Sequence, residues 1–358
     1  MSIRSSRIMA ACVMLTAAAG VFAWQQEQQP VQVPPATTET ETHRSFIPTQ
    51  TEIPPPPPDP NEFQVKSEVE LVLLDVSVKD REGGFVSGLV KDNFKVFDNK
   101  FEQPIRVFAA QDAPVTVGLV VDNSGSVRPK KSEIVTAALT FVTQSNPQDE
   151  MFVVNFNDRV KLGLPEDKPF TDKQQLLRAA LLNNPAQGRT ALYDALKMAL
   201  EHLEKGRLDK KTLVLISDGG DNASETTRAE IMRLAERSLA TIYTVGIFDS
   251  NDKDKNPGFL RALAQMTGGE AFIPENTSHL VGICEKIARD IRNRYTVGFS
   301  PTALADETKP HPVRVTASDT TGRKLDIRTR THYVPRGAAA ISAKDAKSRS
   351  RAAGGPQR

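Results

Sequence analysis

The chain predicts a doubly wound α/β fold with a mostly parallel sheet, flanked on both sides by β segments. Three observations carry that expectation. Between residues 115 and 247, continuous apolar strands at 115–121, 151–156, 212–216 and 241–247 alternate with amphipathic helices. A strand that is apolar along its whole length is buried on both faces, as in a parallel sheet covered by helices. On either side of this stretch the pattern changes to period two, which marks antiparallel strands with one solvated face.

Taken in order, residues 1–23 come first. Arg4 and Arg7 precede an apolar run at 8–21 that ends in Val21-Phe22-Ala23. This is the layout of a secretory signal peptide cleaved after Ala23, so the protein is expected to be exported, to a periplasm, a cell envelope or the medium. The alternative is an uncleaved membrane anchor, although the run is shorter than the ~20 residues a span needs. Contact with a membrane is expected only in that case. Residues 24–62 are rich in Gln, Thr, Glu and Pro and end in the proline run 54–58. They bury too little apolar surface to fold and predict a disordered, extended linker.

Residues 63–112 form the N-terminal β segment. Val69, Leu71 and Leu73 are assigned to one face, followed by Val76 and Val78 and a turn at 80–84. Phe94, Val96 and Phe97, a turn at Asp98-Asn99, and Ile105, Val107 and Phe108 complete it. The α/β region covers 113–293. Ile134, Ala138, Phe141 and Val142 mark one helical face, and Leu192, Ala195, Leu196, Ala199 and Leu203 another. Residues 228–239, 258–267 and 278–293 read likewise. The C-terminal β segment, 294–334, has strands at 295–299, 312–317 and 324–330. Both β segments together supply about seven short strands, enough for a small sandwich interrupted by the α/β region. Residues 335–358 are an Ala/Ser/Gly-rich basic tail expected to be disordered.

Charge excludes one class of function. Lys and Arg number 46 against 44 Asp and Glu, and removing Arg4 and Arg7 with the signal leaves 44 against 44. A general nucleic-acid binder would show a basic excess. Cys12 lies in the signal, so Cys284 is alone in the mature chain and no internal disulfide forms. It falls on a helical stripe with Leu280, Ile283, Ile287 and Ile291, which predicts a buried, inert thiol.

The residues that carry chemistry begin where the first α/β strand ends. Asp122-Asn123-Ser124-Gly125-Ser126 follows the apolar run, Gly188-Arg189-Thr190 precedes a helix, and Asp218-Gly219 ends a later strand. Asp122, Ser124, Ser126, Thr190 and Asp218 are an all-oxygen donor set, suited to a hard divalent cation such as Mg²⁺. Ligands in open α/β sheets bind beyond the carboxyl ends of the strands, where strand order reverses. If the strands ending in Asp122 and Asp218 are neighbours there, with two helical segments between them in sequence, the two carboxylates share a crevice. Singly, each piece has an ordinary explanation: a turn at Ser124-Gly125-Ser126, an N-cap at Thr190, a turn at Asp218-Gly219. Jointly, in this order on these elements, they indicate a site. Asp221 is either an outer partner of that site or a solvated loop acid. His43, His202, His279, His311 and His332 form no pair at metal-ligand spacing.

Residues 115–293 resemble a von Willebrand factor A domain, and Asp122, Ser124, Ser126, Thr190 and Asp218 resemble its metal-ion-dependent adhesion site, D-x-S-x-S, then Thr, then Asp. The stretch 65–334 is also similar to a bacterial subgroup described as VWFA-related. That likeness rests on Val78-Lys79-Asp80, Gly88-Leu89 and Asp92-Asn93-Phe94, and on Arg294-Tyr295-Thr296-Val297-Gly298-Phe299. The resemblance implies that Ser124, Ser126 and Thr190 hold Mg²⁺ (or Mn²⁺), with Asp122 and Asp218 acting through water or switching into contact. It further implies capture of an Asp or Glu carboxylate from a protein partner, hence adhesion or metal-dependent protein–protein interaction. Movement of the Thr190 loop and of the final helix, 278–293, would couple metal coordination to affinity.

An enzyme is not expected. No Gly-x-Ser-x-Gly elbow or Walker loop is present, and the second Asp of aspartyl phosphotransfer motifs is replaced by Ser124. Two other functions stay open at this point: a structural cell-envelope protein whose metal only stabilises the loops, and a metal-dependent hydrolase, which would need a general base in the same crevice.

Overall fold

A computed structural model describes residues 71–110, 112–182, 184–248, 254–301, 309–319 and 321–335. The expected signal peptide, linker and basic tail, apart from Pro335, lie outside the described residues, as do the first residues of the N-terminal β segment.

The chain starts with β1 (Val72–Lys79), β2 (Phe94–Asp98), β3 (Phe101–Gln103) and β4 (Ile105–Ala109). The α/β region follows with β5 (Val115–Asp122), α1 (Lys131–Gln144), β6 (Glu150–Phe156), β7 (Val160–Leu162), α2 (Gln174–Leu182) and α3 (Leu192–Leu203). It continues through β8 (Lys210–Ser217), α4 (Arg228–Arg237), β9 (Thr241–Gly246), α5 (Pro257–Thr267), β10 (Ala271–Phe272) and α6 (Leu280–Arg292). The chain ends in β11 (Tyr295–Phe299), β12 (His311–Ala317), β13 (Asp326–Arg328) and β14 (His332–Tyr333).

The central sheet has the order β10-β9-β8-β5-β6-β7, parallel except for the antiparallel edge strand β7. Every residue of β5 is buried, as its unbroken apolar pattern requires. Gly118 at its centre has a steric reason: a Cβ there would lie 2.4 Å from the Phe152 ring and 2.5 Å from Leu213 Cδ2. One helical layer contains α1 against α2 and α6, and the other contains α3, α4 and α5. The core between sheet and helices includes Leu119, Ile134, Phe141, Phe152, Leu196, Leu215, Phe259 and Ile287. Each fully buried side chain of this size contributes about 1.5–3 kcal/mol.

From β5 the chain winds one way to β6 and β7, then returns to the other side of β5 for β8. The β5/β8 junction is therefore the switch point, and the two strands are paired from Val115↔Lys210 to Val121↔Ile216. Three helices, rather than two, separate them. The additional one, α2, is short and carries its apolar face on Leu177, Ala180 and Leu181.

The flanking segments form two four-stranded sheets, β13-β1-β11-β4 and β14-β12-β2-β3. Each sheet takes strands from both ends of the chain: β1 pairs with β11, and β2 with β12, all antiparallel. They share a core of Leu74, Val76, Phe94, Val96, Tyr295, Val297, Phe299 and Val315. Among the described residues the two sheets have eight strands, against about seven expected, and β3 and β14 are very short. Leu71 and Leu73 do share a face, and it is the outer one. Val72, Leu74, Val76 and Val78 are buried, while Leu71 is exposed and Leu73 half-buried. The run Val72-Leu73-Leu74 is apolar at every position, so alternation alone leaves the face undecided, and a one-residue slip inverts it. The β2–β3 turn is centred on Asn99 and Lys100, with φ of 48° and 75°, as two-residue hairpins require.

A buried polar joint connects the sandwich to the α/β region. Asp290 of α6 accepts from Ser77 Oγ of β1 and from the Tyr243 hydroxyl of β9, both at 2.6 Å. Arg294 donates to Tyr243 Oη (3.0 Å), the Gly268 carbonyl (2.8 Å) and the Asp75 carbonyl (3.4 Å). Lys79 of β1 and Arg328 of β13 both pair with Glu270, just before β10. Among the described residues no helix is long and apolar enough to cross a membrane.

Candidate metal centre

The parallel pairing of β5 and β8 brings their carboxyl ends side by side, and the loops leaving them carry the donors. Asp122 is the last residue of β5 and is fully buried. Its Oδ1 accepts from Ser124 N (2.8 Å) and its Oδ2 from Ser217 Oγ (2.7 Å). Ser217, the last residue of β8, also accepts from Gly219 N (3.1 Å). It therefore ties the Asp122 carboxylate to the opposite loop. Ser217 is a site residue that sequence reasoning missed, although it stands directly before Asp218 on a strand already assigned as a neighbour.

Ser126 Oγ donates to Asp218 Oδ2 at 2.8 Å. Its proton being so placed, Ser124 Oγ donates to Ser126 Oγ at 2.9 Å. Asp218 Oδ1 accepts from Gly220 N (2.9 Å). Ser124 and Asp218 are buried and Ser126 is exposed, so the cluster opens to solvent at Ser126. Gly219 makes the turn possible: its φ is +79°, and a Cβ would lie 2.7 Å from the Asn256 carbonyl oxygen.

Thr190 reaches the same place on a loop fastened by its backbone. Its N–H donates to Asn222 Oδ1 (2.9 Å), and its carbonyl accepts from Asn222 N (2.9 Å) and Ala223 N (3.1 Å). The ordinary explanation for Thr190 fails, since α3 has Ala191 at its N-cap position and no side-chain cap. The Thr190 hydroxyl makes no hydrogen bond among the described residues, although the residue is buried. Gly125 N donates to the Gly188 carbonyl (3.0 Å) and Gln187 N to the Asn123 carbonyl (2.9 Å), so this loop is joined to the one after β5. Asp221 is half-buried, and the hydrogen bonds it accepts lie outside the cluster. It accepts from Tyr193 N (3.2 Å) and Ser224 Oγ (2.5 Å), fastening the start of α3 to the loop after β8.

Asn123, between the donors, is structural. Its Nδ2 donates to the Val121 carbonyl and Asn155 Oδ1, each at 3.0 Å, and its Oδ1 accepts from Lys131 Nζ. Burial lowers the Lys131 pKa to about 8, with the Asp122 charge opposing that shift. Lys131 is the second group at the site that periodicity did not reveal.

The donor set fits a hard cation. Two carboxylates and the serine hydroxyls form one hydrogen-bonded cluster without sulfur, and the loop carrying Thr190 is joined to it through Gly125 and Gly188. Among the described residues no three His, Cys, Asp or Glu side chains gather as a metal site, so hydroxyl oxygens are essential to any cation held here. Asp122 is occupied on both oxygens by protein donors, which suits a carboxylate acting from behind a water layer.

Comparison with known proteins bears on the α/β region. Residues 117–220 match the model of the von Willebrand factor type A domain. This part of the chain is similar to an A domain. That match spans the strand before Asp122 through the turn after Asp218, and so encloses all five candidate donors. The chain is also similar to an uncharacterized protein of Synechocystis sp., 25% identical over 200 residues, covering 55% of this chain and 46% of that one. The chain thus spans about half the length of this curated relative (46%). Among solved structures, a von Willebrand factor type A protein from Catenulispora acidiphila is 14% identical with a TM-score of 0.46, covering 69% of this chain and 74% of that one. The vWF domain of the type V pili tip protein Mfa5 from Porphyromonas gingivalis is 15% identical with a TM-score of 0.42, covering 51% of this chain and 96% of that one.

Proposed function

We propose that this protein is an exported binding module whose A domain holds Mg²⁺ (or Mn²⁺) and, through it, an Asp or Glu carboxylate of a protein partner. Ser124, Ser126 and Thr190 would hold the ion, with Asp122 and Asp218 behind them. The observation that carries the reading is the hydrogen bond from Ser126 to Asp218, 92 positions apart, in a cluster of oxygens at the sheet's switch point. All five positions also match the family's metal-ion-dependent adhesion site in residue type, and the β segments at 63–112 and 294–334 are similar to those of the bacterial VWFA-related subgroup. Bound, the ion would supply a positive centre able to accept one further oxygen ligand from outside.

The reading is of binding rather than catalysis. Both carboxylates of the cluster accept hydrogen bonds from serine hydroxyls and backbone N–H groups, which suits positioning rather than proton transfer by these carboxylates. Export rests on Arg4, Arg7 and the apolar run that follows them.

The test is calorimetric titration of Mg²⁺ and Mn²⁺ into the mature protein, beside the Asp122→Ala/Ser124→Ala variant. Binding by the parent and none by a folded variant is expected. A folded parent that binds neither ion would overturn the reading. Binding that raises stability while no partner ever depends on it would favour a purely structural metal.

A further inference from the structure

A polar cavity of about 290 Å³ lies beside the oxygen cluster, lined by Asn123, Asn157, Asp158, Arg159, Lys161 and Gln187 among others. It shares its wall with the site. Asn123 lies between Asp122 and Ser124, and its N–H donates to the Phe156 carbonyl (2.7 Å) at the head of the 156–159 loop. Ala191 N donates to the Asn157 carbonyl (2.7 Å), so the Thr190 loop is fastened to the same turn.

We propose that this cavity is an anion subsite, and that the partner presents an acidic peptide segment: one carboxylate at the oxygen cluster and a neighbouring one against Arg159 and Lys161. The proposal rests on the metal-binding reading above and names its partner class.

Charge is the first ground. Arg159 and Lys161 are exposed, and neither has an ion-pair partner among the described residues. Asp158 is the acid of the cavity. Its Oδ1 stands 2.4 Å from where a Cβ on Gly188 would be, so it lies against the Thr190 loop, and the charged lining is net positive. The second ground is the rest of the rim. Arg128 follows Ser126 by two positions and donates from Nε to the Ala186 carbonyl at 2.9 Å. Arg189, next to Thr190, donates from NH1 to the Asn222 carbonyl at 3.4 Å. Both are exposed and held in place by backbone, and neither meets a carboxylate among the described residues. A guanidinium fixed by one N–H keeps others to donate, and its geometry favours carboxylates. Some basic side chains farther from the cluster are paired, as Lys79 and Arg328 are with Glu270, Arg207 with Glu150 and Arg292 with Asp112. Around the cluster the basic side chains are left open. Unpaired rim charge accelerates encounter with an opposite charge and is screened by salt.

The experiment uses the mature protein with saturating Mg²⁺ and two fluorescein-labelled peptides of equal length, hexaglutamate and a Gly/Ser peptide with a single Glu. Fluorescence anisotropy is read for the parent, for Arg159→Ala/Lys161→Ala and for Arg128→Ala/Arg189→Ala. Hexaglutamate is expected to bind the parent at least about tenfold more tightly than the single-Glu peptide, and each double variant to remove most of that margin. Calorimetric Mg²⁺ binding should stay unchanged in Arg159→Ala/Lys161→Ala, which separates this subsite from the metal reading. Equal binding of the two peptides by the parent, or hexaglutamate binding indifferent to both double variants, overturns the subsite while leaving metal binding intact. Hexaglutamate binding that survives EDTA but is lost in Arg159→Ala/Lys161→Ala keeps the subsite and removes the metal from it. Tighter binding of a labelled oligonucleotide than of hexaglutamate overturns the assignment to an acidic peptide.

Discussion

At the residue scale, the cluster depends on how firmly Asp122 is aimed. Its carboxylate is buried and held from both sides, by Ser124 N and by Ser217 Oγ across the strand junction. Removing the Ser217 hydroxyl leaves a buried acceptor without its partner and frees the carboxylate to turn. Outer-shell partners of this kind are worth about tenfold or more in metal affinity. Ser217→Ala is therefore expected to weaken Mg²⁺ binding by about tenfold in calorimetry, and Ser217→Thr to restore it. Unchanged affinity in a folded Ser217→Ala protein would mean that Asp122 needs no such support. The motif residues were legible because D-x-S-x-S is a fixed spacing on one loop. Ser217 was not, because nothing in its neighbourhood says that its hydroxyl crosses to another strand.

Elements are fastened by single side chains as well as by core packing. Asp149 closes the turn between α1 and β6, accepting from Val115 N at 2.8 Å and Asn146 N at 3.1 Å. Burial raises its pKa to about 6; the two backbone bonds oppose that shift, Asp112 adds to it and Arg292 opposes it. In the unfolded chain the group titrates near ~3.9. The folded state thus holds its proton more tightly, and the contribution to stability is full below about pH 4 and lost as pH rises through about 6. Melting temperatures of parent and Asp149→Asn, measured from pH 4 to 7, should show the parent losing stability relative to the variant across that window. A constant difference would refute the assignment. Helices with long apolar stripes could be read from periodicity, whereas α2 could not, since nine residues give the pattern little more than two turns. Cys284 was legible for the same reason as its helix: it lies on the stripe, is fully buried, and burial pushes its thiol up to about 12.

For the whole molecule, the Asp290 joint decides whether sandwich and α/β region behave as one body. Burial opposes ionisation of Asp290, but Arg294, Ser77, Tyr243 and Lys79 outweigh it and hold the carboxyl below its usual range. Replacing one member of a buried ion pair strands the other charge, at a cost of about 3–5 kcal/mol. Asp290→Ala is expected to lower stability by that amount in urea denaturation followed by circular dichroism. Because β1 and β2 pair with β11 and β12 across the α/β region, unfolding should remain a single transition. Two separated transitions in the parent would show that the joint does not couple the parts.

The sequence by itself determined the α/β class, the flanking β segments, and the five candidate oxygen donors with their order. Each of these follows from local pattern: apolar runs, period, and a fixed motif spacing. Only the tertiary structure decided that Leu74 and not Leu73 faces the sandwich core, that Ser217 and Lys131 attend the cluster, and that Arg128, Arg159 and Arg189 stand unpaired around it. Those facts depend on register and on which loops meet across a sheet. Both are set by pairing between residues far apart in the chain, and local periodicity carries no record of them.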